Sequence, residues 1–378
     1  LKAQAQAAFV MRVSSTGNIK WARHVPSYGF STGNGVASDG AGGAFLVGLF
    51  QGSALFGQEI LESLSVSWGD AFVMRVNASG AVDWTKHVGP EMAYNASELS
   101  SEAAQNMKSS YVMGNAIAPD GEGGALVTGS FVGRVRFGSS TFTSSSTLNG
   151  VDYKSYVFRI TGDGAIDWAH QVICSKSIAS DGLGGAFVAG KSLETETSQI
   201  SIVHMTPSGE DWIAYGGGDP STELSVNSLA RDGHGGVVVA GSFTGPGRAS
   251  FCKSSGDFRW GDFCTEFWQI GGNQSTFVAQ VTPPGKFSLF IHAGSKNVEG
   301  NIKAMAVSVA PSGEAPVLFV SELHHYAGFL SGIDAYTKPI DLVFDDKEEP
   351  DPRHLQLSPP QPRVRHPLRR HSPPPPSH

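Results

Sequence analysis

Short apolar runs, each closed by Gly, Asp, Ser or Asn, follow one another along most of the chain. Examples are AFLVGLF at 44–50, ALVTGSF at 125–131 and VVVAGSF at 237–243. Their β-branched and aromatic content, with turn residues on both sides, predicts strands rather than helices. A helical period is confined to a loop candidate at 97–108. Two half-units recur. One reads NGVASDGAGGAFLVGLF from Asn34, and returns as GNAIAPDGEGGALVTGSF from Gly114, KSIASDGLGGAFVAG from Lys176 and NSLARDGHGGVVVAGSF from Asn227. A faded copy, AMAVSVAPSGEAPVLFV, begins at Ala304. The other half reads AFVMRVSSTGNIKWARHV from Ala8 and AFVMRVNASGAVDWTKHV from Ala71, with later copies from Tyr156, Ile200 and Phe277.

Each half is two strands around a Gly-containing turn, so a full unit has four strands, A to D. Trp168 and Trp212 stand 44 residues apart, the length of a four-stranded propeller blade. The predicted fold is therefore an all-β propeller of four-stranded blades, with repeat units near 8–50, 71–131, 155–190, 200–243 and 276–321. Because the sequence opens on strands C and D and its last repeat supplies A and B, these halves would join and close five blades. A fragment of a larger ring is the alternative, since GIDAYTKPI at 332–340 looks like a decayed extra C strand. The propeller would occupy 1–344. Residues 345–378 hold 10 of the 21 prolines and few hydrophobes, which predicts a disordered, partly polyproline II tail.

The repeated pattern GIA-D-GG-FVAGSF…DAFV-RV--SG-I-WA resembles the bacterial β-propeller repeat (SBBP) family, from which this sequence departs in the DGxGG form of its A–B turn and in its long insertions. The resemblance covers roughly residues 8–320 apart from the insertions. It implies a secreted or cell-surface protein, and it implies no particular activity.

Composition narrows the function classes. The 378 residues include 47 Gly and only 16% charged residues, with a net charge of −7, which argues against a nucleic-acid or anionic-membrane binder. No apolar run reaches the roughly 20 residues of a membrane span. The DGxGG turns lack the Lys-Ser/Thr and helix of a phosphate loop and the alternating oxygens of a calcium loop. They read as turns in which Asp caps its own backbone and Gly supplies positive φ. Neither a metal site nor a cofactor is expected.

Strand order puts the tight A–B and C–D turns on one face and the long B–C and D–A connections on the other. Long loops on a rigid scaffold are where binding sites usually sit. The candidate ligand-binding residues there are Trp68, Tyr94, Trp260 and Trp268, as stacking platforms or hydrophobic anchors for a protein or glycan partner. Cys252 and Cys264 could close a disulfide loop around the aromatic stretch CKSSGDFRWGDFC, leaving Cys174 as a buried thiol. Asn95 and Asn273 begin glycosylation sequons, whereas Asn77 belongs to a repeat turn. The recurring Trp21, Trp84, Trp168 and Trp212 are expected between blades, and His24 and His87 are expected to face solvent.

The reading that results is a non-catalytic binding module of the extracellular space or cell surface. One alternative is a glycoside-active enzyme using loop-face carboxylates such as Glu91, Glu98, Asp219, Glu223, Asp257, Asp262 and Glu299, although no GxSxG elbow is present. The other is a purely structural domain of a larger surface protein. Arg370–Pro376 also fits an RxxPxxP ligand, so an SH3-type partner for the tail is a separate expectation.

Overall fold

A computed structural model describes residues 6–65, 68–91, 110–144, 146–147, 150–192, 200–218, 222–244, 248–252, 265–268, 274–294, 301–308, 317–323 and 342–343. Strands β1 (Ala8–Val13) and β2 (Ile19–Val25) form an antiparallel pair. Next come β3 (Ser31–Ser38), β4 (Ala44–Phe50), a hairpin of β5 (Ser53–Phe56) and β6 (Glu59–Glu62), then β7 (Asp70–Val76) and β8 (Val82–Val88). The hairpin stands apart, and the other four make a sheet in the order β3-β4-β7-β8. The pattern repeats in β9 (Tyr111–Pro119) and β10 (Ala125–Val132), an insertion holding β11 (Arg134–Phe137), β12 (Ser140–Thr143), β13 (Ser146–Thr147) and β14 (Gly150–Val151), then β15 (Lys154–Ile160) and β16 (Ile166–Val172). Again β9, β10, β15 and β16 form one antiparallel sheet.

The third sheet uses β17 (Ser177–Ser180), β18 (Ala186–Lys191), β19 (Ile200–Thr206) and β20 (Gly209–Gly218). The fourth uses β21 (Glu223–Arg231) and β22 (Val237–Thr244), an inserted hairpin of β23 (Arg248–Cys252) and β24 (Thr265–Trp268), then β25 (Gln274–Thr282) and β26 (Lys286–Gly294). That hairpin pairs with β20 and so extends the third sheet. Strands β27 (Asn301–Ser308) and β28 (Val317–Leu323) pair with each other, and β29 (Leu342–Val343) lies parallel to β26. The extra C strand expected at 332–340 and the loop helix expected at 97–108 lie outside the described residues, as does the Pro-rich tail. The chain divides into compact units Leu1–Val343 and Phe344–His378.

Each sheet joins the second half of one sequence unit to the first half of the next in the A–B–C–D order. Its neighbours follow serially: β3 lies against β9, β9 against β17, β17 against β21, and β21 against β27. The cores lie between consecutive sheets. Phe72, Met74 and Val76 face β1 and β2, while Ala71 and Val73 on the other side of the same strand meet Phe131, Tyr156 and Phe158 of the next sheet. A strand buried on both faces must be apolar throughout, which is why runs such as AFLVGLF do not alternate.

Trp84 shows how successive sheets are tied. From strand D it sends Nε1–H to the carbonyl of Gly162, 2.9 Å away in the C–D turn of the next sheet. Trp21 reaches Ala78 in the same manner at 3.1 Å. Gly80, at φ +84°, lies so close that a Cβ there would be 2.7 Å from the Trp21 side chain. The expected position of these tryptophans between sheets is thus observed. Pairing of the first and last half-units is different: among the described residues β1 pairs only with β2, and β28 only with β27.

Candidate functional site

Antiparallel order places the B–C and D–A connections at one end of the sheets, and Trp68 stands there, just before β7. It is 63% exposed. Its ring centroid lies 6.4 Å from that of Tyr111 at the start of β9, and Tyr111 in turn lies 6.0 Å from Tyr153, which is 48% exposed. Two open rings therefore flank a buried one. Burial, reinforced by neighbouring Tyr153, pushes the Tyr111 phenol up to about 12, so it stays protonated and able to donate.

The loop that carries Trp68 is pinned from beneath. The buried Asp70 carboxylate accepts hydrogen bonds from the backbone N–H of Leu64 (2.6 Å) and Ser65 (3.1 Å) and from the Ser65 hydroxyl. His87 Nε2 closes the set at 2.7 Å. The expectation that His87 faces solvent is thus overturned: a buried carboxylate needs partners, and the imidazole turns inward to supply one. His24, the same position in β2, is exposed. Ser65, Asp70 and His87 do not make a hydrolytic triad, because the carboxylate stands between serine and histidine where the histidine would have to stand.

Among the described residues no second predicted anchor is placed beside Trp68. Tyr94, Trp260, Cys264, Asn95 and Asn273 lie outside the described residues. Trp268 ends β24 opposite Arg248, and Cys252 ends β23 opposite Tyr215, both placed by backbone register. Cys174 is buried, and burial raises its thiol pKa, keeping it protonated. Of the expected carboxylates, Glu91 is held by Arg134 (2.6 Å) and Arg136, and Glu223 pairs with Lys191 at 3.8 Å. Glu98, Asp219, Asp257, Asp262 and Glu299 lie outside the described residues. Asn77 does what a turn Asn should: its Oδ1 accepts the N–H groups of Ser79 and Ala81.

Two of the long B–C connections fold into hairpins of their own. Phe56 of β5–β6 packs 5.3 Å from Phe50, and Phe137 of β11–β12 packs 4.5 Å from Tyr156. The Glu91 ion pairs and a Pro90–Val135 bridge dock β11 onto the chain leaving the previous sheet. The signal was present as a second repeat, FQGSALFG at 50–57 and FVGRVRFG at 131–138, whose glycines at 52, 57, 133 and 138 all take positive φ.

At the opposite end the DGxGG turns form a repeated polar device. In each, the Asp Oδ1 accepts two backbone N–H bonds: Asp120 those of Glu122 (2.8 Å) and Gly124 (2.9 Å), and Asp181 those of Leu183 (2.7 Å) and Gly185 (2.9 Å). The expected self-capping is therefore present. Strand C then supplies a partner for Oδ2 that sequence did not suggest: Arg75 to Asp39 (3.4 Å), Arg159 to Asp120 (2.9 Å), His204 to Asp181 (3.1 Å) and Gln280 to Asp232 (2.8 Å). Burial disfavours the His204 cation, but its hydrogen bonds to Asp181 and Asp211 and their charges outweigh this and raise its pKa. Burial likewise opposes the Asp181 charge, yet His204 and two backbone N–H groups hold its pKa down. Among the described residues no group of His, Cys, Asp and Glu is arranged to hold a metal ion, and no helix is long and apolar enough to cross a membrane.

No family model matches the chain, and no curated protein matches it. Among solved structures it is similar to the crystal structure of a protein of unknown function from Bacteroides caccae, at 11% identity and a TM-score of 0.32, over 75% of this chain and 93% of that one.

Proposed function

We propose that this chain is a β-propeller repeat protein that serves as a non-catalytic binding module, at the cell surface or outside the cell, and engages saccharide through the aromatic surface at Trp68 and Tyr153. The propeller reading is supported by four successive sheets, each holding four strands in A–B–C–D order and two of them extended by further strands, whose first strands adjoin one another, with cores between consecutive sheets. It makes β27–β28 and β1–β2 the two halves of a fifth blade. Phe9, Met11 and Val13 support this: they are exposed, while the matching Phe72, Met74 and Val76 are buried against a neighbouring sheet.

The binding reading is carried by one observation. Two exposed rings, Trp68 and Tyr153, flank the buried Tyr111 of the next sheet, and the loop that carries Trp68 is fixed by hydrogen bonds from Leu64 and Ser65 to Asp70. Amphipathic rings held rigid lose little entropy on binding, and their faces stack on the apolar faces of sugars. The test is a glycan array probed with the intact chain and with Trp68→Ala and Tyr153→Ala. Either substitution should weaken the bound glycans at least tenfold and leave the thermal midpoint within a few degrees. An array without a bound glycan, or one on which both variants equal the wild type, would sink the saccharide reading.

A further inference from the structure

The end of the molecule that carries the short turns holds a cavity. Between the turn ends of β9, β17 and β21 lies a cavity of about 660 Å³, within the size range of small-molecule pockets. Its apolar wall is built by Ala118, Ile178 and Leu229, one from each of three consecutive first strands. Its polar groups come from the turns and from Arg231, the last residue of β21.

Two donors at that cavity have no protein partner among the described residues. Arg231 has no hydrogen bond and no ion pair among the described residues. Its guanidinium lies over the backbone of Gly182, where a Cβ would collide with it, so it is held across the gap between the third and fourth sheets. The second donor is the N–H of Gly121. In the equivalent turns the N–H of Gly40 bonds Ser38 Oγ at 3.2 Å and that of Gly182 bonds Ser180 Oγ at 3.0 Å. In the Asp120 turn the residue at that position is Pro119, which offers no hydroxyl, and the Gly121 N–H has no partner among the described residues. The cavity's carboxylates are already engaged: Asp120 by Arg159 and its own turn, and Glu122 by Arg159 at 2.5 Å.

We propose that this cavity binds a small organic carboxylate with an apolar body, its carboxylate taken by Arg231 and the Gly121 N–H and its body lying on Ala118, Ile178 and Leu229. Guanidinium binds a carboxylate with two parallel hydrogen bonds, and a backbone N–H aimed at the same anion adds a fixed dipole. The apolar wall rewards burying a hydrocarbon chain, by about fourfold in affinity per CH₂, which a bare inorganic anion cannot collect. The site is at the far end from Trp68 and does not depend on the saccharide reading.

The experiment is calorimetric titration of the full chain with 4-methylpentanoate, with its amide, 4-methylpentanamide, and with inorganic phosphate. The carboxylate should bind at least tenfold more tightly than the amide or phosphate, and Arg231→Met should abolish that preference while Arg231→Lys retains part of it. Saturation-transfer NMR on the unmodified protein should place the ligand methyls against Ile178 and Leu229, a readout that does not depend on any variant folding. No carboxylate binding, equal binding of carboxylate and amide, phosphate binding as tight as the carboxylate, or an undiminished Arg231→Met would each overturn the proposal.

Discussion

Removing the Asp120 carboxylate should be among the most damaging single polar changes in this fold. Its side chain is 1% exposed and serves two structures at once. Oδ1 holds the turn through the N–H groups of Glu122 and Gly124, at 2.8 and 2.9 Å, and the latter residue is buried. Oδ2 receives Arg159 from β15 at 2.9 Å. Hydrogen bonds to a charged group contribute about 1.5–3 kcal/mol each, and breaking a buried ion pair costs about 3–5 kcal/mol when the stranded charge has no other partner. Arg159 keeps Glu122 and Asp167, so the second figure is discounted. Asp120→Ala should therefore lose about 3–5 kcal/mol, and Asp120→Asn, which keeps an oxygen for the turn, about half of that. Glu122→Ala is the control: its side chain is 70% exposed, and an exposed pair contributes at most about 1 kcal/mol. Urea unfolding with an unchanged m-value reads all three directly. The reasoning fails if Asp120→Ala costs less than about 1 kcal/mol, or if Glu122→Ala costs as much as Asp120→Ala.

Two further outcomes follow from the same geometry. If β1–β2 packs against the fourth sheet in solution, Phe9→Asp should destabilise the protein by about 2–3 kcal/mol in the same assay, the burial value of a large side chain; an unchanged midpoint would mean that face is free. His204 is the only titrating partner among the four strand C groups, and its raised pKa gives the sign. Its contribution is fully present below its unfolded value of about 6.5 and is lost as pH rises through the folded value. The contribution of Asp181, whose pKa is lowered, is present above its unfolded value of about 3.9 and fades as pH falls through the folded one. The stability gap between wild type and His204→Gln should thus be widest between these limits and close at alkaline pH; a gap that persists unchanged to pH 9 would contradict the assignment.

Much of the fold was legible because its determinants are local. A DGxGG turn caps itself through atoms two and four residues away, and a hairpin is announced by the residues within it. Trp21 and Trp84 could be assigned to sheet contacts because a repeated residue in a repeated strand must meet the same neighbour each time. The candidate sites were read less well. Trp68 was found as an exposed aromatic, but its companions Tyr111 and Tyr153 come from the next sheet and have no sequence proximity to it. His87 was misplaced because its partner, Asp70, is on an adjacent strand and buried by loop residues.

What the chain order determined by itself was therefore the strands, their turns, their assembly in fours and the separation of short turns from long connections. Tertiary structure decided which side chains are paired across that framework. It placed Arg75, Arg159, His204 and Gln280 against the turn aspartates, and seated the β5–β6 and β11–β12 hairpins on the sheets. It also left Arg231 unpaired, among the described residues, above a cavity made by three separate strands. The physical reason is range: capping and periodicity act over a few residues, whereas desolvation and charge pairing depend on whatever the packed sheets bring within a few ångströms.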